Sequence, residues 1–195
     1  MASIPGYRLG DATLPQSSIS TQEFAELQGS LLFGEEDRAA LKQAETVVAD
    51  QIEAILDVWY GFVAATPHLV RYFADAKTGE PIGAYLAAVR KRFGQWILDT
   101  CRAEFDSAWL AWQDEIGRRH HHSGKNKTDG VSAAPHIPMR HLVALVMPIS
   151  ITMRPFLAQK GASPADVDKM HAAWTKAVLL QAILWSRPYV KEGEF

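Results

Sequence analysis

Read for its apolar periodicity, the chain gives one helical signal after another and no stretch of strand alternation. Ser20-x-x-Glu23 has the form of a capping box, which predicts a helix over 21–31. Gly34 interrupts the pattern. From Glu35 to about Ala65 runs a proline-free helical stretch, long enough for one helix or two, closed by Thr66-Pro67. His68 to Phe73 predicts one or two further turns, and Lys77-Thr78-Gly79-Glu80-Pro81 a loop. Helices follow over 82–100 and 104–121, then loop chemistry at Ser123-Gly124-Lys125-Asn126 and Asp129-Gly130. Pro138 suits the first turn of a helix reaching Lys160, kinked at Pro148 and stopped by Gly161. Ser163-Pro164-x-Asp166 opens a last helix through Trp185, which Pro188 closes. Residues 1–19, rich in Pro, Gly and Ser, read as an extended lead-in. The expected fold is all-α, with seven or eight helices.

Three of these helices carry unusually aromatic inner faces. Ile52, Leu56, Trp59 and Val63 share one face, with Tyr60 at its edge. Tyr85, Val89, Phe93, Trp96 and Ile97 share another. The third, WLAWQDEIGRRHHH at 109–122, ends in three histidines, and helical phase separates them. With about 100° per residue and Trp109 at zero, Ile116 falls near about −20° and His120 near about 20°. His121 lies at about 120° and His122 at about 220°, so His120 alone continues the apolar stripe. An inward imidazole needs a partner. A backbone carbonyl would satisfy it, and so would a metal or haem iron. An aromatic stripe is by itself ordinary core. Three such stripes converging with one inward histidine also suit a flat apolar macrocycle held by a single axial imidazole, which is haem.

Composition narrows the classes. Apolar residues make up 48% of the 195, enough for one sizeable core, and charged residues are 22%, the proportion of an ordinary globular protein rather than a disordered one. A net charge of −2 gives no nucleic-acid footprint. The single cysteine, Cys101, rules out an intrachain disulfide and suits a reducing, cytoplasmic setting. MASIPGYRLGDATLP lacks the apolar region of a signal peptide, and no apolar run is long enough to span a membrane. His68, His136, His141 and His171 are dispersed, without the spacing of a zinc or di-iron site. Nucleotide-binding and serine-hydrolase motifs are absent.

Taken together, several stretches resemble the protoglobins, single-domain haem proteins related to globin-coupled sensors. They are IPGYRLG at 4–10, DQIEAILDVWYGFVAATPHL at 50–69, YLAAVRKRFGQWILDT at 85–100, WLAWQDEIGRRHH at 109–121, TDGV at 128–131, PHIPMRHLVALVMPISITMRPFLAQKG at 135–161 and WSRPYVKEGEF at 185–195. The likeness covers essentially the whole chain.

The resemblance implies one globin-like haem domain over 1–195, a three-on-three helical sandwich with an extra N-terminal helix and an extension over 1–19. It implies haem b (iron protoporphyrin IX) as cofactor. The first histidine of the family's R-H-H run is the proximal iron ligand, and that position is His120. Distal residues carry over as Trp59, Tyr60 and Phe93, and a second distal position, commonly phenylalanine, is Leu145 here. Tyr60 is then the candidate donor to bound O₂, since no histidine falls at a distal position. Arg92, at the rim of the Phe93 stripe, and Arg119, beside His120, are candidate partners for the haem propionates, unless they belong to a solvated basic face. The function implied is reversible binding of O₂, CO or NO for storage, scavenging or sensing, with signalling left to a separate partner, in a cytoplasmic homodimer formed through the last two long helices. A haem enzyme acting on peroxide, nitrite or nitric oxide is the alternative, and a haem-free helical interaction protein a second one.

Overall fold

A computed structural model describes residues 4–191 and 193–195. Its nine α-helices are α1 (Thr21–Ser30), α2 (Glu35–Val48), α3 (Ile52–Ala64), α4 (Pro67–Val70), α5 (Gly83–Arg102), α6 (Ser107–His120), α7 (Met139–Ala144), α8 (Val146–Leu157) and α9 (Pro164–Ser186). Single 3₁₀ turns cover Arg71–Phe73 and Arg187–Tyr189. Among the described residues there is no strand, only two isolated bridges, Ala74 with Pro81 and Asp75 with Ala133, which tie loops together. Residues 4–19 contain no helix; the expected extension also includes residues 1–3, which lie outside the described residues.

The helix boundaries follow local chemistry. Ser20 and Glu23 form the full capping box, each side chain accepting the other's backbone N–H. Ser163 caps α9 by accepting from the Asp166 N–H. The long 35–65 run divides into two helices. Between them Gln51 turns its amide back onto the Val47 carbonyl at 2.7 Å and the Phe156 carbonyl at 3.3 Å, occupying an acceptor left open at the end of α2. α6 starts later than expected because Asp106 caps it, accepting from the Trp109 N–H at 2.8 Å. The kink expected at Pro148 is a break one turn earlier, between α7 and α8 at Leu145. A proline has no N–H for the carbonyl four residues back, and its ring crowds that carbonyl, so the strain falls at Ala144 and Leu145.

α9 is the central helix. It packs against α2, α6 and α8, while α5 lies against α2 and α3, and α3 against α8. Its inward surface is apolar, with Met170, Ala173, Ala177 and Leu180 fully buried. A fully buried amide interrupts it: Gln181 accepts from the Trp96 indole at 2.6 Å and donates to Thr100 Oγ1 at 3.1 Å. Because a buried amide left unpaired is costly, this network fixes the register of α5 on α9. Trp185 donates to Gln113 Oε1 at 2.8 Å and does the same for α6. The segment before α1 lies across α5 and α6, with Tyr7 donating to Asp99 Oδ2 at 2.7 Å and Leu14 buried. Among the described residues no helix is long and apolar enough to cross a membrane.

Candidate functional site

Between α3, α5, α6, α8 and the loop after α6 lies a cavity of about 240 Å³. All seven residues singled out from the sequence line it: Trp59, Tyr60, Arg92, Phe93, Arg119, His120 and Leu145. α3 and α5 supply an aromatic wall. Trp59 sits 5.7 Å from Phe93, and Phe93 stacks on Trp96 at 5.1 Å. Leu145 enters from the α7–α8 break and packs against the cluster that Trp59, Val63, Leu69 and Tyr72 form.

His120 is the final residue of α6; His121 adopts extended backbone and leaves the helix. The His120 ring stacks nearly parallel to Trp185, 5.2 Å between centroids. Its Nδ1 lies 2.8 Å from the carbonyl of Ile116, one turn earlier. A carbonyl can only accept, so Nδ1 carries the proton and Nε2 keeps its lone pair. Nε2 has no hydrogen-bond partner among the described residues. Burial lowers the His120 pKa to about 4, with the Lys125 and Arg119 cations acting in the same direction and the Ile116 carbonyl opposing. The imidazole is therefore neutral at neutral pH and presents a free nitrogen at the cavity wall.

Tyr60 is half-buried on the same wall as Trp59, edge-on to Phe73 at 6.3 Å. Its hydroxyl makes no hydrogen bond among the described residues, and burial raises its pKa. Tyr60, Val63 and Phe73 also line a second, outer groove, which they separate from the cavity.

The polar edge of the cavity is cationic. Arg92 makes a two-pronged pair with Asp129, at 3.0 and 2.7 Å, and donates to the Pro5 carbonyl at 3.2 Å. Arg119 pairs with Glu115 at 2.8 Å, donates to the Gly6 carbonyl at 2.5 Å and lies 4.9 Å above the Trp112 ring. The basic run thus has separate duties: Arg90 holds Glu53 and Asp57, while Arg92 faces the cavity. Sequence reasoning missed Lys125, which is buried and lines the cavity. It also missed Tyr7, Asp129 and Trp185, brought there by the N-terminal segment, the loop after α6 and α9. Helical phase gives no signal for the first two, which sit in loops; Trp185 ends a recognisable helix but shows its direction only once α9 is docked. His68 and His141, far apart in sequence, come together with ring centroids 5.2 Å apart, and Tyr72 lies 2.6 Å from His141 Nδ1. Among the described residues no group of three His, Cys, Asp or Glu side chains is gathered as for a metal ion.

The protoglobin family model matches residues 20–195. The chain belongs to the protoglobin family. No curated protein shows a significant match. Membership carries a globin-like fold, with which the all-helical architecture agrees, and it implies a haem cofactor and gaseous ligands. The family match begins at residue 20, so the IPGYRLG stretch lies outside it, although Tyr7 lines the cavity. The cavity of this protoglobin suits haem on three counts. A neutral imidazole presents an unbonded nitrogen, aromatic rings form apolar walls, and the polar edge holds three cations to one carboxylate, Asp129. An amphipathic dianionic macrocycle that binds iron needs all three.

Proposed function

We propose that the protein is a haem b globin that binds diatomic gases (O₂, CO, NO) reversibly at ferrous iron, with His120 as the proximal ligand. The observation that carries this reading is the His120 ring. Its Nδ1–H is given to the Ile116 carbonyl, and Nε2 is left with a lone pair on the cavity wall. Hydrogen bonding at the second nitrogen is how a protein fixes the tautomer and orientation of a metal-ligating imidazole. Haem b supplies a ferrous iron with one open coordination position. The protein's part is to orient that group, exclude water and offer one polar contact to the gas.

Trp59, Phe93 and Leu145 form the apolar side of the gas pocket, keeping water from the site and so protecting the ferrous state. Tyr60 is its hydroxyl donor, free because nothing else among the described residues accepts from it, and the Trp59 indole N–H is a second donor on the same wall. The outer groove behind Tyr60 and Phe73 lies in line for gas entry. Arg92 and Arg119 belong to the carboxylate edge, where they also hold the Pro5 and Gly6 carbonyls of the N-terminal segment. His120 is the one histidine among the described residues lining the cavity, so no imidazole acid–base group faces the gas side. That favours a carrier, scavenger or sensor over an enzyme consuming peroxide, nitrite or nitric oxide.

We place the protein in the cytoplasm as a homodimer. Met139, Val143, Met147 and Ile151, spaced by four, form an exposed apolar stripe along α7 and α8. α9, by contrast, is largely buried within its own chain, so α8 rather than α9 supplies most of the expected contact.

The test is an absorption spectrum of the purified protein beside His120→Ala, His121→Ala and His122→Ala. Haem uptake with a Soret band that shifts on reduction and on CO is expected for all but His120→Ala. If His120→Ala keeps haem with an unchanged ferrous spectrum, another side chain holds the iron and the reading fails.

A further inference from the structure

Lys125 has the least settled charge in the cavity. Its side chain is buried, and its ammonium donates to Tyr85 Oη at 2.9 Å, Asn126 Oδ1 at 2.9 Å and the Tyr72 carbonyl at 3.2 Å. All three acceptors are neutral. Among the described residues no carboxylate lies within 4.0 Å of Nζ, and the nearby Asp129 is held by both prongs of Arg92. A buried ammonium satisfied in hydrogen bonds but lacking a counter-charge is unfavourable, because neutral dipoles repay only part of the lost hydration. The position is built rather than accidental. Gly124 lies so close to the end of α6 that a Cβ would sit 2.6 Å from the Arg118 carbonyl oxygen, and this tight return carries Lys125 back to the cavity. Arg92 and Arg119 differ in having their carboxylates, Asp129 and Glu115, already in place.

We propose that Lys125 is the direct ion-pair partner of a carboxylate on the bound macrocycle, and that Arg92 and Arg119 act mainly to hold the N-terminal segment over it. This rests on the haem reading above. The charge census supports it: with Asp129 on Arg92 and Glu115 on Arg119, Lys125 is the one lining cation among the described residues left without a carboxylate. Of the ammonium's three acceptors, the Tyr85 hydroxyl can turn away when an anion arrives and free one donor position, while the backbone carbonyl of Tyr72 and Asn126, held by its amide on the Ala133 carbonyl, keep the other two.

The test compares haem b with its dimethyl ester, which has the same ring and iron but no free carboxylate. Both are bound to the cofactor-free wild type, Lys125→Met, Lys125→Gln, Arg92→Met and Arg119→Met, and thermal melts are recorded without cofactor. Removing one charge-assisted hydrogen bond from a buried site weakens binding about 10- to 100-fold. Both Lys125 variants are therefore expected to bind the diacid more weakly by about that factor and the diester by less than threefold. Their cofactor-free melts should match or exceed wild type, because an uncompensated charge has been removed. The two arginine variants should lose less diacid selectivity than either Lys125 variant. Undiminished selectivity in a folded Lys125 variant, or a larger loss in the arginine variants, overturns the assignment. If both Lys125 variants fail to fold, the uncompensated charge was stabilising and the assignment is also overturned. Failure of wild type to bind either compound instead removes the haem reading itself.

Discussion

Tyr60 gives the sharpest test of the gas pocket. Its hydroxyl has no hydrogen-bond partner among the described residues, and burial raises its pKa above the ordinary value. Tyr60→Phe therefore removes a group that stabilises nothing in the cofactor-free protein. Its stability should stay within about 0.5 kcal/mol of wild type or rise slightly, because an unpaired hydroxyl is relieved. The gas-bound protein behaves differently. On the proposed reading, Tyr60 would donate to O₂ held beside it, whereas CO would be a poor acceptor of the same hydrogen bond. A single neutral donor facing a partly charged acceptor in a dry site contributes about 1–2 kcal/mol, roughly 5- to 30-fold in rate. Stopped-flow ligand replacement should show O₂ leaving Tyr60→Phe faster by that factor, with CO leaving less than twofold faster. Equal changes for both gases would mean that the ring shapes access and the hydroxyl donates nothing. No change for either would remove Tyr60 from the pocket, and a cofactor-free melt lowered by more than about 1 kcal/mol would reveal a hydroxyl partner elsewhere.

Three other outcomes follow from the same geometry. Leu145→Phe adds an aromatic ring to the cavity wall at the α7–α8 break; CO association should slow several-fold, read by flash photolysis, and unchanged kinetics would exclude Leu145 from the gas path. Gly6 has φ +78°, and a Cβ there would sit 2.7 Å from Arg92 Nη1 and 2.8 Å from Thr128 Cγ2. Gly6→Ala should cost about 1–3 kcal/mol, from left-handed strain and crowding together, and should speed both haem loss and proteolysis of the segment before α1; an unaltered melt would show that the segment does not seal the cavity. Burial lowers the Lys125 pKa from the ordinary 10.5 to about 8, with Asp129 opposing. The unfolded chain then binds more protons between those values, so stability rises with pH across this window. After discounting for partial solvent screening, cofactor-free wild type should gain about 1–2 kcal/mol from this group between about pH 8 and about pH 10.5, relative to Lys125→Met, in urea unfolding; a flat difference would contradict a buried, uncompensated ammonium.

The candidate ligand is more legible in the sequence than the rest of the pocket, for a physical reason. His120 lies at a helix end whose inward face is marked by Trp109, Trp112 and Ile116, and helical phase is strictly local information. Trp59, Tyr60 and Phe93 are legible for the same reason once the resemblance gives their stripes a purpose. Lys125 is not. It sits five residues beyond the helix, in a loop whose path depends on the close approach of Gly124 to Arg118. A loop lysine reads as solvated, and only tertiary structure shows it buried. Arg92 and Arg119 reach the cavity edge; Glu115, four residues before Arg119 on one helix, is local information, whereas Asp129 becomes the neighbour of Arg92 only through loop closure. The expected proline kink falls one turn away from the break, because a proline disturbs the carbonyl behind it, not its own position.

The charge on the cavity edge does more than attract an anion. Metal binding to an imidazole ordinarily competes with a proton, and the competition grows where carboxylates surround the ring. Here the charges acting on His120 are cations: Lys125 and Arg119 add to burial in keeping the ring deprotonated, against the Ile116 carbonyl, which favours the protonated form. The same carbonyl fixes which nitrogen stays bare. The proposed ligand nitrogen is therefore unprotonated without any cofactor, beside positive charge that the protein itself does not fully balance. On the proposed reading, Lys125 and its neighbours would find that balance in the carboxylates of the macrocycle they hold. Cation-rich edge and neutral imidazole are consequences of one arrangement, in which, on the proposed reading, recognition of the carboxylates and readiness of the metal ligand would depend on the same two side chains.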